Sequence, residues 1–393
     1  MKAAKGMVCK DIVIVGGGPV GAAAALGLAR AGHGVTLLEA RASMLADDRR
    51  TLAIAYGSKL ILEDLGAWPA ASEVTPITNI HVTQKGHFGQ TVITAEDARV
   101  PALGYVMRYN ALVEALARAL TATSIEVVTG AAVTRVIPHE DKTEIHWGEG
   151  VTAQSCVARL AVLADGGRAL TAATFGTPKE SPYAQVALVA QVHTNETPRG
   201  RAYERFTPSG PVALLPFERH YALVWTGTQA EVEALVALPD EVFLARLQRY
   251  FGDRAGQFLR VNARSWFPLT LKVVKQVTRP HAVCIGNAAQ TMHPVAGQGF
   301  NLGLRDAAGL CQVAQGVSRE TLGSADMLAR YVRLRARDRR AGIGLTHALV
   351  TGFSNRLPLL PLLRGNALTA MNLLPITRRA LARVMMFGMS SRS

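Results

Sequence analysis

Three consecutive glycines raise the first chemical question. Gly16-Gly17-Gly18-Pro19-Val20-Gly21 follows a short β-branched run, Ile12 to Val15, and precedes an alanine-rich stretch. The spacing Gly16-x-Gly18-x-x-Gly21 is what a strand–turn–helix unit needs to hold a dinucleotide. Gly16 permits the tight turn, Gly18 lets a pyrophosphate approach the backbone, and Gly21 lets helix and strand pack closely. The helix N-terminus, with Pro19 in its opening turn, offers free N–H groups and a partial positive charge to phosphates. A second strand, Val35 to Glu39, ends in a carboxylate about twenty residues further on, where a ribose hydroxyl is the expected donor. An acid at that place disfavours a 2′-phosphate, which leaves FAD or NAD and excludes NADP as the resident nucleotide.

A second concentration of open backbone runs from Ile285 to Leu310, IGNAAQTMHPVAGQGFNLGLRDAAGL, with no charge before Arg305 and Asp306. Residues 282–286 read as a strand, the next stretch as a loop, and a helix is expected from about Asn301. His293 stands where a general base could act, but a histidine before a proline is also an ordinary loop residue. Two further segments complete the set. Asp47 to Trp68 is an arginine-rich turn leading into an amphipathic helix, and Leu160 to Ala164 is an apolar strand running into Asp165-Gly166.

These pieces must be carried by a large framework. At 393 residues, with 49% apolar and 18% charged side chains, the chain suits a globular protein of two sub-domains. Lys and Arg outnumber Asp and Glu by 43 to 29, a net charge of +14. The excess gathers at the end: no acidic residue follows Asp338, while Arg356, Arg364, Arg378, Arg379 and Arg383 lie in an apolar tail. Cationic and apolar character together suit an anionic membrane interface better than a nucleic-acid groove, and no nucleic-acid-binding motif supports the latter. Cys9, Cys156, Cys284 and Cys311 are scattered, so no metal site is expected and a reducing cytoplasm is. A signal peptide and a spanning helix are not expected either.

The motifs GNAAQTMHPVAGQGFNLGLRD, YERFTPSGPVALLPF and DDRRTLAIAYGS resemble the aromatic-hydroxylase family of flavoprotein monooxygenases, which has the p-hydroxybenzoate hydroxylase fold. Within it they resemble the ubiquinone-biosynthesis branch, and the resemblance covers nearly the whole chain. It implies an α/β protein: a Rossmann-like FAD-binding domain with an inserted antiparallel-sheet substrate domain and a helical C-terminus. The FAD domain would be discontinuous, residues 1–78, 102–180 and 268–345. Residues 79–101 and 181–267, rich in strand-like stretches, would form the sheet that roofs the site, and 346–393 the basic, apolar helical region.

The resemblance also implies roles. Gly16, Gly18, Gly21 and Glu39 would hold the ADP half of FAD, with Arg50 and Arg108 reaching its pyrophosphate and adenine side. Arg49 beside Arg50 is an equal candidate. Asp165 belongs to the family's Asp-Gly motif, although Ala169 and Ala172 stand where the family has Ser and Arg. Gly286, Asn287, Gly299, Phe300 and Asn301 would hold the ribityl chain and ring, Asn287 replacing the usual aspartate. Pro294, Gly297, Gln298 and Gly299 would line the reactive face, with no side-chain base among them. Tyr203 is a candidate base only by its place in the roof.

The activity implied is hydroxylation of a polyprenyl-substituted phenol, of the 2-polyprenyl-6-methoxyphenol type, by O2 and NADH or NADPH through a flavin C4a-hydroperoxide. The place implied is the cytoplasmic face of the inner membrane, with other ubiquinone-biosynthesis enzymes as partners and no nucleic acid. Two alternatives are a hydroxylase of a soluble aromatic acid and a membrane-associated assembly component with structural FAD.

Overall fold

The run Ile12 to Val15 becomes the centre of a parallel sheet. In the computed structural model, which describes residues 9–45, 48, 50–86, 89–167, 169–292, 297–353, 365–366, 369–370 and 372–389, strand Cys9–Val15 pairs in parallel with Val35–Glu39 on one side and Gln154–Leu163 on the other. Glu126–Thr129 extends the first side and Ala282–Cys284 the second, both in parallel. Because both faces are covered, the second half of the central strand, Ile12 to Val15, is apolar, and Ile12, Val13 and Ile14 are wholly buried. The chain leaves this strand in opposite directions, so a crevice opens at its carboxyl end, at Gly16.

Two helices flank that crevice. Pro19–Arg30 begins at Gly18, and Gln298–Ala314 begins at Gly297. They approach closely because small residues face the contact: a Cβ on Gly27 would lie 2.5 Å from Cys311 Sγ, and one on Gly303 would lie 2.9 Å from Val20. The second helix starts three residues before the expected Asn301. Its Asn301 amide donates back to the Gly297 carbonyl at 2.6 Å, which completes a first turn that the glycines alone leave undefined.

An eight-stranded second sheet lies over the first domain, in the order 290–291, 258–273, 179–194, 220–227, 212–217, 201–206, 79–84, 90–94. Strands Arg201–Phe206 and Asn79–Gln84 run parallel; the other neighbours run antiparallel. The long strands Lys179–Thr194 and Phe258–Val273 cross the expected junctions near 180 and 267 and carry the chain between the layers. One face of the sheet is sealed by helices Gln229–Val236 and Asp240–Phe251, with Leu188, Tyr203, Leu214 and Leu223 packed on Phe243 and Leu247. The other face turns to the first domain, where Ala202 and Phe217 meet Ile77 and Val106.

A three-stranded sheet, Thr51–Ala55, Gly104–Arg108 and Val74–Ile77, mediates that contact. Here the arginine-rich turn was expected to pass directly into a helix. A strand intervenes instead, and helix Tyr56–Asp64 follows it. The sequence TLAIA has β-branched residues suited to a strand, and its pairing with Gly104–Arg108 supplies the backbone partners that local sequence could not. The chain closes with helices Ala325–Phe353 and Pro375–Phe387. No helix among the described residues is long and apolar enough to cross a membrane.

Candidate active site

The glycine loop forms a cradle with a free rim. Gly16 has φ +107°, and a Cβ there would lie 2.5 Å from the Ala164 carbonyl oxygen, so the turn accepts only glycine without distortion. At Gly18 a Cβ would meet nothing within 4 Å. That position is glycine although the protein leaves it room, as expected where a ligand approaches the backbone. No side chain caps the helix that starts there, so its first N–H groups are free to receive an anion.

Glu39 closes one end. It is buried, and its carboxylate accepts from the Gly17 N–H at 2.7 Å and from the Arg41 N–H and Nε at 2.9 and 2.8 Å. Burial pushes its pKa up, but the hydrogen bonds and charge of Arg41, with the Gly17 N–H, outweigh this and hold it below the usual carboxylate value. Three of a carboxylate's roughly four acceptor positions are used, leaving one for a hydroxyl. Asp165 closes the other end. Its Oδ1 accepts from the Gly167 N–H and the Thr171 hydroxyl, while its Oδ2 is buried without a hydrogen-bond partner. A free acceptor beside a phosphate cradle, with a second at Glu39, fits the hydroxyl-rich linker and ribose of FAD.

The glycine-rich loop meets this cradle from below. Gly286 packs on Val20, in the first turn of the glycine-loop helix, and a Cβ on Gly167 would lie 2.6 Å from the Asn287 carbonyl oxygen. The Asn287 side chain is exposed. Asn301 is buried and spends its side chain on the protein: it donates to the Ala53 and Gly297 carbonyls and accepts from the Ala55 N–H. It therefore fixes the helix N-terminus against strand Thr51–Ala55. Gly299 offers open backbone at that terminus, whereas a Cβ on Gly297, with φ +61°, would lie 3.1 Å from Ala53; Phe300 packs partly buried on the core, and Gln298 donates to the Met385 carbonyl of the C-terminal helix. Pro294 and His293 lie outside the described residues, as does Arg49.

Gly16, Gly21, Glu39 and Asp165 thus adjoin at the glycine turn, Gly286 and Asn287 approach it through Val20 and Gly167, and Gly297, Gln298, Gly299 and Asn301 stand at the N-terminus of the second helix. The two arginines each have protein partners. Arg50 pairs with Asp48, through Nε and the terminal nitrogen, and lies over the Tyr109 ring. Arg108 donates to Glu218 and lies over Phe217 of the roof sheet. Tyr203 faces the helix-covered side of the roof, where its hydroxyl donates to the Arg254 carbonyl.

Sequence reading missed the network behind the loop. Asp306 accepts from the Gly286 N–H, Gln290 Nε2 and Arg335 Nε, and Arg305 and Arg335 both reach Asp338. Arg339 adds donors to Gln290 and to the Val274 and Ala289 carbonyls. Burial pushes Asp338 up, yet the two guanidiniums and the Met389 N–H hold it below its ordinary value. The available signal was Arg305-Asp306 at helix positions surrounded by apolar residues.

Beside Gln298 and Asn301 lies an apolar cavity, walled by Ile54, Ile77, Ile80, Ile93, Leu103, Ala382, Met385 and Met386. Its volume is about 60 Å³, well under the ~150 Å³ that accommodates a benzene-sized guest. Admitting a substituted ring requires its walls to move, and the C-terminal helix supplies three of them.

Comparison with known proteins accords with this geometry. The family described as "FAD binding domain" matches residues 10–341. The chain is 35% identical over 360 residues to the ubiquinone hydroxylase UbiL of Rhodospirillum rubrum, spanning 88% of this chain and 82% of that one. It is 33% identical to the 3-demethoxyubiquinol 3-hydroxylase of Escherichia coli, over 92% of this chain and 94% of that one. Among solved structures, p-nitrophenol 4-monooxygenase PnpA from Pseudomonas putida superposes with a TM-score of 0.77 at 18% identity, covering 96% and 97% of the two chains. PqsL from Pseudomonas aeruginosa, described as a probable FAD-dependent monooxygenase, gives 0.74 at 21%, covering 92% and 100%. The chain belongs to the FAD-binding-domain family and, within it, to the FAD-dependent ubiquinone hydroxylases.

Proposed function

We propose that this protein hydroxylates the ring of a polyprenyl-substituted phenol in ubiquinone biosynthesis, with O2 and NADH or NADPH, at the inner face of the membrane. The observation that carries the reading is the apolar cavity built against the N-terminus of helix Gln298–Ala314. Among the described residues its lining has no lysine or arginine that would pair with an aromatic acid, which favours a neutral, hydrocarbon-bearing ring over the soluble-acid alternative.

Bound FAD would supply oxygen activation after reduction by the nicotinamide. The chain's own tasks are then geometric. Gly16, Gly18 and Gly21 admit the phosphates, while Glu39 and Asp165 accept hydroxyls at either end. Gly286, Asn287, Gly297, Gly299 and Phe300 present backbone to the ring, whose reactive face Gln298 helps to line. Asn301 holds that backbone in place, and the isoleucine wall excludes water from the reacting atoms.

The C-terminal helix supports the membrane part of the reading. Ala382 and Met386 are buried against Ile93 and Leu103, whereas Leu373, Leu374 and Ile376 at its start are 73%, 54% and 80% exposed. Arg379 and Arg383 are exposed beside them. An apolar tip ringed by cations suits an anionic lipid surface, where the tail of the substrate resides. The direct test is the quinone precursor that accumulates in cells lacking the gene. A precursor missing one ring hydroxyl supports the proposal and identifies the position; unaltered quinone synthesis contradicts it.

A further inference from the structure

The roof sheet carries one carboxylate for which the fold has no use. Glu204 lies mid-strand in Arg201–Phe206, aligned with Val82 on one side and Ala213 on the other. The ladder continues through Ala213–Val224 and Val224–Val189. Side chains alternate along the strand, so the neighbours of Glu204 divide between two faces. Tyr203 is packed under the covering helices, while Ala202 meets Ile77 and Val106 of the first domain. Glu204 shares the face of Ala202 and turns toward the flavin-binding layer.

The burial along that ladder is informative. Val82, Glu204, Ala213, Val224 and Val189 are all half-buried, although the opposite face of the same strands is sealed. This partly accessible apolar row shares its face with Ile80, which is in register with Ala202 and lines the cavity described above, a setting suited to a ligand between layers. Among the described residues Glu204 makes no hydrogen bond and no ion pair. Its neighbours in register, Val82 and Ala213, are not titratable. Arg205, Tyr203 and His81 belong to the other face of the sheet, and among the described residues the Arg108–Glu218 pair and His220 lie at the turn between strands 212–217 and 220–227. Without a compensating partner, burial pushes the carboxyl up to about 7.

We propose that Glu204 contacts the ring hydroxyl of the substrate and takes its proton. This rests on the phenol-hydroxylase reading above. The substrate O–H bond breaks, its electron pair stays on the ring oxygen, and the proton forms a new O–H bond on the Glu204 carboxylate. The ring, made electron-rich at its ortho and para carbons, is then the better partner for oxygen transfer, and the proton returns to the product oxygen before release. A carboxylate in water is too weak a base for a phenol with an ordinary value of about 10, but one raised toward neutrality in an apolar wall is suited to the task.

The test uses the FAD-loaded full chain, dioxygen, NADH or NADPH, and short-tailed prenylated phenols with and without ring fluorines. Glu204→Gln should slow hydroxylation of the unfluorinated phenol about a hundredfold or more, with binding of the phenol changed less than about threefold. The acid limb of the wild-type rate profile, near pH 7, should disappear. Fluorinated phenols, which ionise without help, should recover most of the lost rate, an outcome that a merely structural role would not give. Full activity and an unchanged profile in Glu204→Gln would overturn the assignment. If that variant fails to fold or to hold FAD, wild-type profiles decide: a limb that stays fixed as phenol acidity changes supports Glu204, and one that follows the phenol contradicts it. Wild type that hydroxylates none of these phenols would instead defeat the functional proposal.

Discussion

Arg335 Nε donates to Asp306 Oδ1 at 2.9 Å, with both side chains out of solvent. The same Asp306 holds the Gly286 N–H and Gln290, so a charge pair in the core sets the position of the loop that lies against the flavin crevice. Removing one partner strands the other charge in a dry interior. Asp306→Ala should lower unfolding stability by about 3–5 kcal/mol, measured by urea denaturation, and should also weaken retention of FAD. Loss of FAD without loss of stability would mean that Asp306 acts on the cofactor directly.

The glycine loop predicts a contrast between two neighbours. Gly16→Ala meets backbone at 2.5 Å in a conformation that side chains resist, so the apoprotein should lose about 2 kcal/mol or more. Gly18→Ala has room within the protein. Its apoprotein should melt within about 0.5 kcal/mol of wild type while FAD affinity falls about tenfold or more. Thermal melts of apoprotein and fluorescence titration with FAD separate the two. Equal effects on both properties in both variants would remove the distinction.

Much of this site was legible because its demands are local. The spacing of Gly16, Gly18 and Gly21, the carboxylate closing strand Val35–Glu39, and the close approach of Gly286 to Val20 each answer a requirement of neighbouring atoms. What was not legible depends on distant partners. The side chain of Arg108 is long and free to choose, and its partner Glu218 lies 110 residues away and is set by the tertiary fold. Asn301 read as a cofactor ligand, but the strand that consumes its side chain became a strand only through pairing with Gly104–Arg108. Asp306 looked incidental because Arg335 and Arg339 lie on another helix, about thirty residues away.

Glu204 gives a pH dependence of stability apart from catalysis. Its folded carboxyl sits near 7 against an ordinary 4.5, so the folded state holds a proton that the unfolded state releases. Its favourable contribution is complete below about 4.5 and declines as pH rises to about 7, above which the ionised group is a constant burden. Glu204→Gln removes that burden. The gain in melting temperature over wild type should therefore be larger at pH 8 than at pH 5, in the absence of substrate. A gain independent of pH would show that the carboxyl is solvated in the folded chain.

The exposed tip of the C-terminal helix predicts lipid selectivity. The full chain should sediment with vesicles containing anionic phospholipid and remain free of purely zwitterionic ones, with binding weakened by salt. Arg379→Glu together with Arg383→Glu should lower that binding about thirtyfold or more, at roughly 1 kcal/mol or more per site, and Ile376→Ser should lower it further without changing FAD content. Equal binding to both vesicle types would remove the electrostatic part of the account.

The central claim is that this chain binds FAD and places one atom of dioxygen on a prenylated phenol. Mass spectrometry of the product formed under isotopically heavy dioxygen, with purified FAD-loaded protein and NADH or NADPH, tests it most directly. The account predicts a ring hydroxyl carrying one heavy oxygen atom, with product in proportion to nicotinamide consumed. Folded protein that holds no FAD, or that oxidises nicotinamide and leaves the phenol unlabelled, would contradict it.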